Sequence, residues 1–186
     1  MAAVSLASLL CIVFIFGFPI WWSVHVSNRM NKLYLKTEQL RSNVVGCLMR
    51  RNDILRCFLS IVSSYAEWMP IHDPELCNVT CDMNDTALSE VFFMQDKVFR
   101  DVYSFLKVYN RLNEGDNVLV LQKIISDVDN ANKECVRAIK AYNAGTAKYN
   151  KYISSFPRSV IARIRHMERT DSFLSVENYG SEGVNH

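Results

Sequence analysis

The sequence predicts an all-α chain. One N-terminal transmembrane helix is followed by an antiparallel up-and-down bundle of three long helices and a short C-terminal one. Three observations lead there. The 40 charged residues, 21 basic and 19 acidic, all lie at Arg29 or beyond. From Arg29 onward the apolar residues repeat at spacings of three and four, and no run alternates with period two over a strand's length. Only 6 glycines and 4 prolines punctuate the chain, which argues against collagen-like, low-complexity or turn-rich all-β structure. The 186 residues suit one ordinary domain, and six cysteines are too sparse for a small disulfide scaffold. A net charge of +2 is neither a nucleic-acid signature nor an acidic tail, so no nucleic-acid partner is expected.

The first element is the anchor, residues 1–27. Nineteen of the 25 residues from Ala2 to Val26 are apolar, interrupted by serines, Gly17, Pro19 and His25. About 20 such residues span the ~30 Å hydrocarbon core as a helix, and Trp21 and Trp22 suit the interfacial aromatic belt. A cleaved signal peptide needs a basic start and a small-residue cleavage site, and the sequence offers neither. Arg29, Lys32, Lys36 and Arg41 follow the apolar run while nothing basic precedes it. The positive-inside rule therefore places the N-terminus outside and the remainder on the cytoplasmic side of a single-pass membrane protein. Two glycosylation sequons, at Asn78 and Asn84, point the other way. Fifteen asparagines in a chain of this Ser/Thr content yield roughly two sequons by chance, so the cytoplasmic orientation is preferred.

The bundle occupies residues 28–169. Its first helical stripe runs Met30, Leu33, Thr37, Leu40, Val44, Cys47, Arg51, Ile54, Phe58, Ile61, Tyr65, and with Gly46 alone intervening it can continue directly from the anchor. Pro70 and Pro74 break it, and the polar stretch to Asp85 reads as a loop ending in the N-cap candidates Asn84, Asp85 and Thr86. The second stripe runs from Leu88 to Leu112 and ends in the turn Asn113-Glu114-Gly115-Asp116. A third runs Val118, Leu121, Ile125, Val128, Asn132, Cys135, Ile139, Tyr142, Thr146, Tyr149, Ile153, Phe156, until Pro157 stops it and starts a short helix to about Arg169. Long amphipathic helices joined by turns hide their stripes by pairing antiparallel. A coiled coil with another protein, or with a second copy, would use the same spacing. Residues 170–186 read as a flexible tail.

The third helix carries a distinctive pattern, YNAGTAKYNKYISSFPRSVIA from Tyr142 to Ala162. It resembles the C-terminal signature of the LemA family, small membrane-anchored helical-bundle proteins. The stretch RRNDILRCFLSIVSSYA, Arg50 to Ala66, is similar to that family's RRxDLIPNLVxxVxxYA segment. The signature residues carried over are Arg50, Arg51, Asp53, Tyr65, Tyr142, Asn143, Tyr149, Asn150, Phe156 and Pro157. The sequence departs from the pattern in places: Arg56-Cys57 replaces Pro-Asn, Ile139 replaces an arginine, and His166-Met167 replaces a late Gly-Phe. Tyr142, Tyr149, Ile153 and Phe156 share one face and should form a seam. Asn143 and Asn150 can bridge to a neighbouring helix or its backbone. Arg51, on the stripe, needs a partner if buried; Asp53 points elsewhere on the same helix, so an acid from another helix is expected.

Chemistry is sparse. Cys77 and Cys81, with His72, Asp73 and Asp82 nearby, are the closest approach to a metal set, but a second ligand pair is missing. There is no Gly-rich phosphate loop, no Gly-x-Ser-x-Gly and no HExxH. The expectation is a protein that is not an enzyme and carries no cofactor or metal. From Lys148 to Arg169 six basic residues face one acid, Glu168. Arg158, Arg163, Arg165 and Arg169 could contact an anionic membrane surface, or cap the bundle with their charges solvated. A membrane-bound scaffold or interaction module with an unidentified protein partner is the functional expectation. Its alternatives are a coiled-coil tether and a metal-binding protein using the Cys77/Cys81 loop.

Overall fold

The computed structural model describes residues 2–65, 79–108 and 118–173; for 2–13, 16, 64, 65, 108 and 118 it describes the backbone alone. The described residues form four helices and no strand: α1 (Ala2–Tyr65), α2 (Asp85–Val108), α3 (Val118–Ser154) and α4 (Arg158–Ile164). The anchor and the first bundle helix are one continuous α1, as the run without breakers suggests, and Pro19 is accommodated inside it. Among the described residues no helix is long and apolar enough to cross a membrane. The anchor expected over 1–27 is helical in its backbone from Ala2 onward, but half of its side chains lie outside the described residues, and its crossing of a membrane is not supported by the helices described.

Two units divide the chain, one of residues 1–38 and 144–170, the other of 39–143 and 171–186. In the first, Val26, Met30, Tyr149, Ile153 and Ala162 are buried together, with Leu33, Tyr152, Ile161 and Met167 packed around them. In the second, Val44, Val45, Leu48, Leu88, Phe92, Cys135, Ile139, Tyr142 and Phe173 make one core. Phe58, Val62, Val102, Leu106 and Leu121 make another.

The second unit departs from the expected up-and-down order. Arg41 meets Asp85, Arg51 meets Phe92 and Asp96, and Gln95 meets Leu48, with sequence separations staying between 41 and 47. A near-constant separation means that α1 and α2 run parallel. α3 is antiparallel to both: Ile139 packs beside Val44 and Leu88, whereas Leu121 packs beside Phe58 and Val102. The connection allows this order. The 19 residues between α1 and α2 can reach roughly 60 Å, ample to return along the ~36 Å of a 24-residue helix. A linker of that length permits the parallel order without imposing it, and the polar pairs Arg41–Asp85 and Arg51–Asp96 are made in this register.

Helix ends follow the expected chemistry in part. Asn84 caps α2, its Oδ1 accepting the Ala87 N–H at 2.8 Å. Pro157 ends the α3 pattern, but α3 stops at Ser154 and Pro157 caps α4 instead of opening it. α4 ends at Ile164, short of Arg169. Met167 N–H bonds to the Ala162 carbonyl and His166 N–H to that of Arg163, with His166 at φ 51°. This is a Schellman closure with a non-glycine residue at its left-handed position.

Candidate functional site

Five of the signature residues of α1 and α3, Arg51, Tyr142, Asn143, Tyr149 and Asn150, form fastenings with the chain's own groups. In the second unit, Arg51 is completely buried. Its Nη2 donates to Asp96 Oδ1 at 3.1 Å and its Nη1 to the Phe92 carbonyl at 3.2 Å. The guanidinium also lies 4.8 Å over the Phe92 ring. Asp96, from α2, is the inter-helix acid that a buried arginine requires, and its other oxygen accepts from Arg100 at 2.7 Å. Arg50 is exposed and pairs with Glu134 at 2.9 Å, and Asp53 is exposed. The Tyr65 side chain lies outside the described residues.

Asp85, which the sequence offered only as a cap candidate, is a hub. It accepts from Arg41 Nε at 3.0 Å and from the Tyr142 hydroxyl at 2.7 Å. Arg41 also donates to the Met83 carbonyl, and the Tyr142 hydroxyl lies 3.3 Å from the Asp171 carbonyl. Tyr142 is fully buried, its ring edge-on to Phe173 with centroids 5.7 Å apart. Beside it, Asn143 holds Phe173 by both main-chain groups: Oδ1 accepts the Phe173 N–H at 2.9 Å and Nδ2 donates to its carbonyl at 3.4 Å.

The same arrangement recurs in the first unit. The Tyr149 hydroxyl donates to the Glu168 carbonyl at 3.2 Å, and the ring lies 6.0 Å from that of Tyr34. Burial, with Tyr34 nearby, pushes the Tyr149 hydroxyl pKa up. Asn150 accepts the Thr170 N–H at 3.1 Å and donates to the Thr170 carbonyl at 2.8 Å. A side-chain amide offers a donor and an acceptor side by side, as a neighbouring strand's backbone does. Thr170 to Phe173, expected to begin a flexible tail, are therefore held, whereas 174–186 lie outside the described residues.

Tyr142, Tyr149 and Ile153 are buried as the seam predicts, but Phe156 is not: it is 83% exposed. Pro157 restricts the residue before it, α3 stops at Ser154, and Phe156 falls out of helical register. Arg158 is half-buried over the Tyr152 ring at 4.3 Å, while Arg163, Arg165 and Arg169 are exposed.

The sequence model of the LemA family covers residues 41–184. The chain belongs to the LemA family. No curated protein is matched by it. No solved structure is matched by it either. In this LemA chain the signature works as packing and fastening: each Tyr–Asn pair of α3 secures main-chain groups of the segment after α4. The partners Asp85, Asp96 and the carbonyls of Glu168 and Thr170 escaped sequence reasoning. The available signal was that a buried tyrosine hydroxyl, and an asparagine beside it on a packed helix face, must each find a partner.

An open cleft of about 550 Å³ is lined by Arg50, Ile54, Asp127, Asn130, Lys133, Glu134 and Arg137, with charges of both signs. Burial lifts the Cys135 thiol pKa to about 12, and it raises that of Cys47 as well. Among the described residues no group of three or more His, Cys, Asp or Glu could hold a metal. Cys81 is exposed, and Cys77 and His72 lie outside the described residues.

Proposed function

We propose that this LemA protein is a membrane-anchored, non-catalytic helical bundle acting as a scaffold or interaction module on the cytoplasmic side. The observation that carries the anchoring is apolar and uncovered. Phe14, Ile15, Phe18, Ile20, Trp21 and Val24 stand exposed on α1 within a stretch, 2–28, that holds none of the chain's 40 charged residues. A belt of that kind is costly in water, and a bilayer relieves the cost. Residues 2–13 of the sequence extend it to spanning length. The non-catalytic reading is supported by where the signature's polar groups go: Arg51, Tyr142, Asn143, Tyr149 and Asn150 all bond within the chain. A coiled-coil tether is less favoured, because the stripes of α1, α2 and α3 already cover one another.

Carbonate extraction of membranes tests the anchor. The full chain should stay in the pellet and a chain lacking residues 2–26 should not; a full chain released by carbonate would overturn the reading. A glycosidase-sensitive mobility shift at Asn78 or Asn84 would reverse the orientation. Crosslinking in the native membrane should capture a recurrent protein partner for the bundle.

A further inference from the structure

We propose that the exposed edge formed by Phe156, Val160 and Ile164 is a second membrane contact, seated in the headgroup region of an anionic bilayer. The inference rests on the anchored reading above. Val160 and Ile164 lie one turn apart on the same face of α4, 50% and 73% exposed, and Phe156 just before the helix is 83% exposed. The opposite face supplies Ala162, which is buried against Val26 and Met30 of α1. α4 is thus amphipathic in an unusual sense, with one apolar side packed and the other uncovered.

Its place in the first unit says what covers that side. Tyr149 lies against Tyr34, and Tyr152 is 5.4 Å from Arg29, so α3 and α1 run in opposite directions there. Arg158, at the start of α4, shares the Tyr152 ring with Arg29, the first charged residue of the chain. α4 therefore sits at the level where α1 turns from charged to uncharged. The exposed Trp21 and Trp22 lie about two turns, roughly 10 Å, beyond that level along α1. A bilayer surface passing this border meets the aromatic belt of α1 and the apolar edge of α4 together.

Charge fits the same occupant. Lys148, Lys151, Arg163, Arg165 and Arg169 are exposed around the edge, with Glu168 the one acid between Lys148 and Arg169. Apolar side chains flanked by arginines match an interface with anionic headgroups, where arginine stems reach phosphate while the apolar groups enter the acyl boundary. A protein partner would have to bring an acidic, apolar surface to the same level as the membrane.

Fluorescence quenching by brominated lipid in vesicles of phosphatidylcholine with about 30% phosphatidylserine tests this with the full chain. In a Trp68→Phe background, quenching of Trp21 and Trp22 reads the anchor. With all three tryptophans changed to phenylalanine and Ile164→Trp added, the single indole reads α4. It should be quenched at least about twofold, as expected for a group at the acyl boundary. Adding Arg163→Glu and Arg165→Glu should weaken the contact about fivefold or more per charge and restore emission. Quenched native indoles with an unquenched indole at 164 would overturn the proposal and leave the anchor standing. Unquenched native indoles would overturn the anchor reading, and this proposal with it.

Discussion

Replacing Asn150 with aspartate keeps the shape of the side chain and removes its donor. The Thr170 carbonyl, 2.8 Å from Nδ2, would then face a carboxylate oxygen, while the Thr170 N–H keeps its acceptor. The loss of one partly buried hydrogen bond costs about 0.5–1.5 kcal/mol, and an unpaired carbonyl facing a negative oxygen raises the total to roughly 1–3 kcal/mol. Opening of the segment after α4 should become about tenfold more frequent for each 1.4 kcal/mol. Hydrogen exchange followed by mass spectrometry reads this directly: the Thr170 amide, whose N–H is held by Asn150 Oδ1, should exchange about ten- to a hundredfold faster in Asn150→Asp than in the parent. The amides in the middle of α2 should not change. Asn143→Asp should accelerate exchange at Phe173 in the same way, since its Nδ2 donates to the Phe173 carbonyl. Exchange in Asn150→Asp within twofold of the parent would refute the claim that the amide donor holds the segment.

Three other substitutions and titrations probe the same framework. His166→Gly should raise thermal stability by about 1 kcal/mol, because the left-handed position at φ 51° disfavours any side chain; an unchanged or lower melting temperature would contradict that. Arg51→Ala should cost about 2–4 kcal/mol in denaturant unfolding, because Asp96 loses its buried inter-helix partner and keeps only the exposed Arg100. Removing the exposed Arg50 should cost under ~1 kcal/mol, and equal costs for the two would count against the burial argument. At pH 8 the exposed Cys57 and Cys81 should alkylate readily while Cys135 stays unmodified in the folded chain, as mapped by mass spectrometry. The same thiol makes stability fall at high pH. Its folded pKa of about 12 lies above the ordinary 9.0, so the unfolded chain loses the proton first, and stability declines as pH rises from 9 toward 12.

The helices were legible because a 3.6-residue period is local: Val44, Leu48, Leu55 and Phe58 repeat visibly and are all buried. The parallel pairing of α1 and α2 was not legible. Both orders bury apolar stripes, a 19-residue linker accommodates either, and the pairs that fix the parallel register, Arg41–Asp85 and Arg51–Asp96, join residues far apart in sequence. Arg51 shows the same limit at the level of one residue. Its place on the apolar stripe predicts burial and therefore an acidic partner. That the acid is Asp96, 45 residues away, is a consequence of parallel register.

The fastening of Glu168 to Phe173 was invisible for a different reason. Tyr149, Asn150, Tyr142 and Asn143 hold main-chain groups there, and every residue has those. Nothing in the composition of the held segment needs to announce the contact, so the information sits on α3 alone. One consequence concerns α4. A helix of seven residues is far too short to persist by itself. It is fixed at its start by Arg158 on Tyr152 and beyond its end by Tyr149 and Asn150. The second Tyr–Asn pair thus holds α4 in place, and with it Val160 and Ile164. Loosening Asn150 should then weaken the proposed bilayer contact without touching any residue that makes it. Quenching of an indole at position 164 should accordingly fall in the Asn150→Asp chain, while that of Trp21 and Trp22 stays as it was.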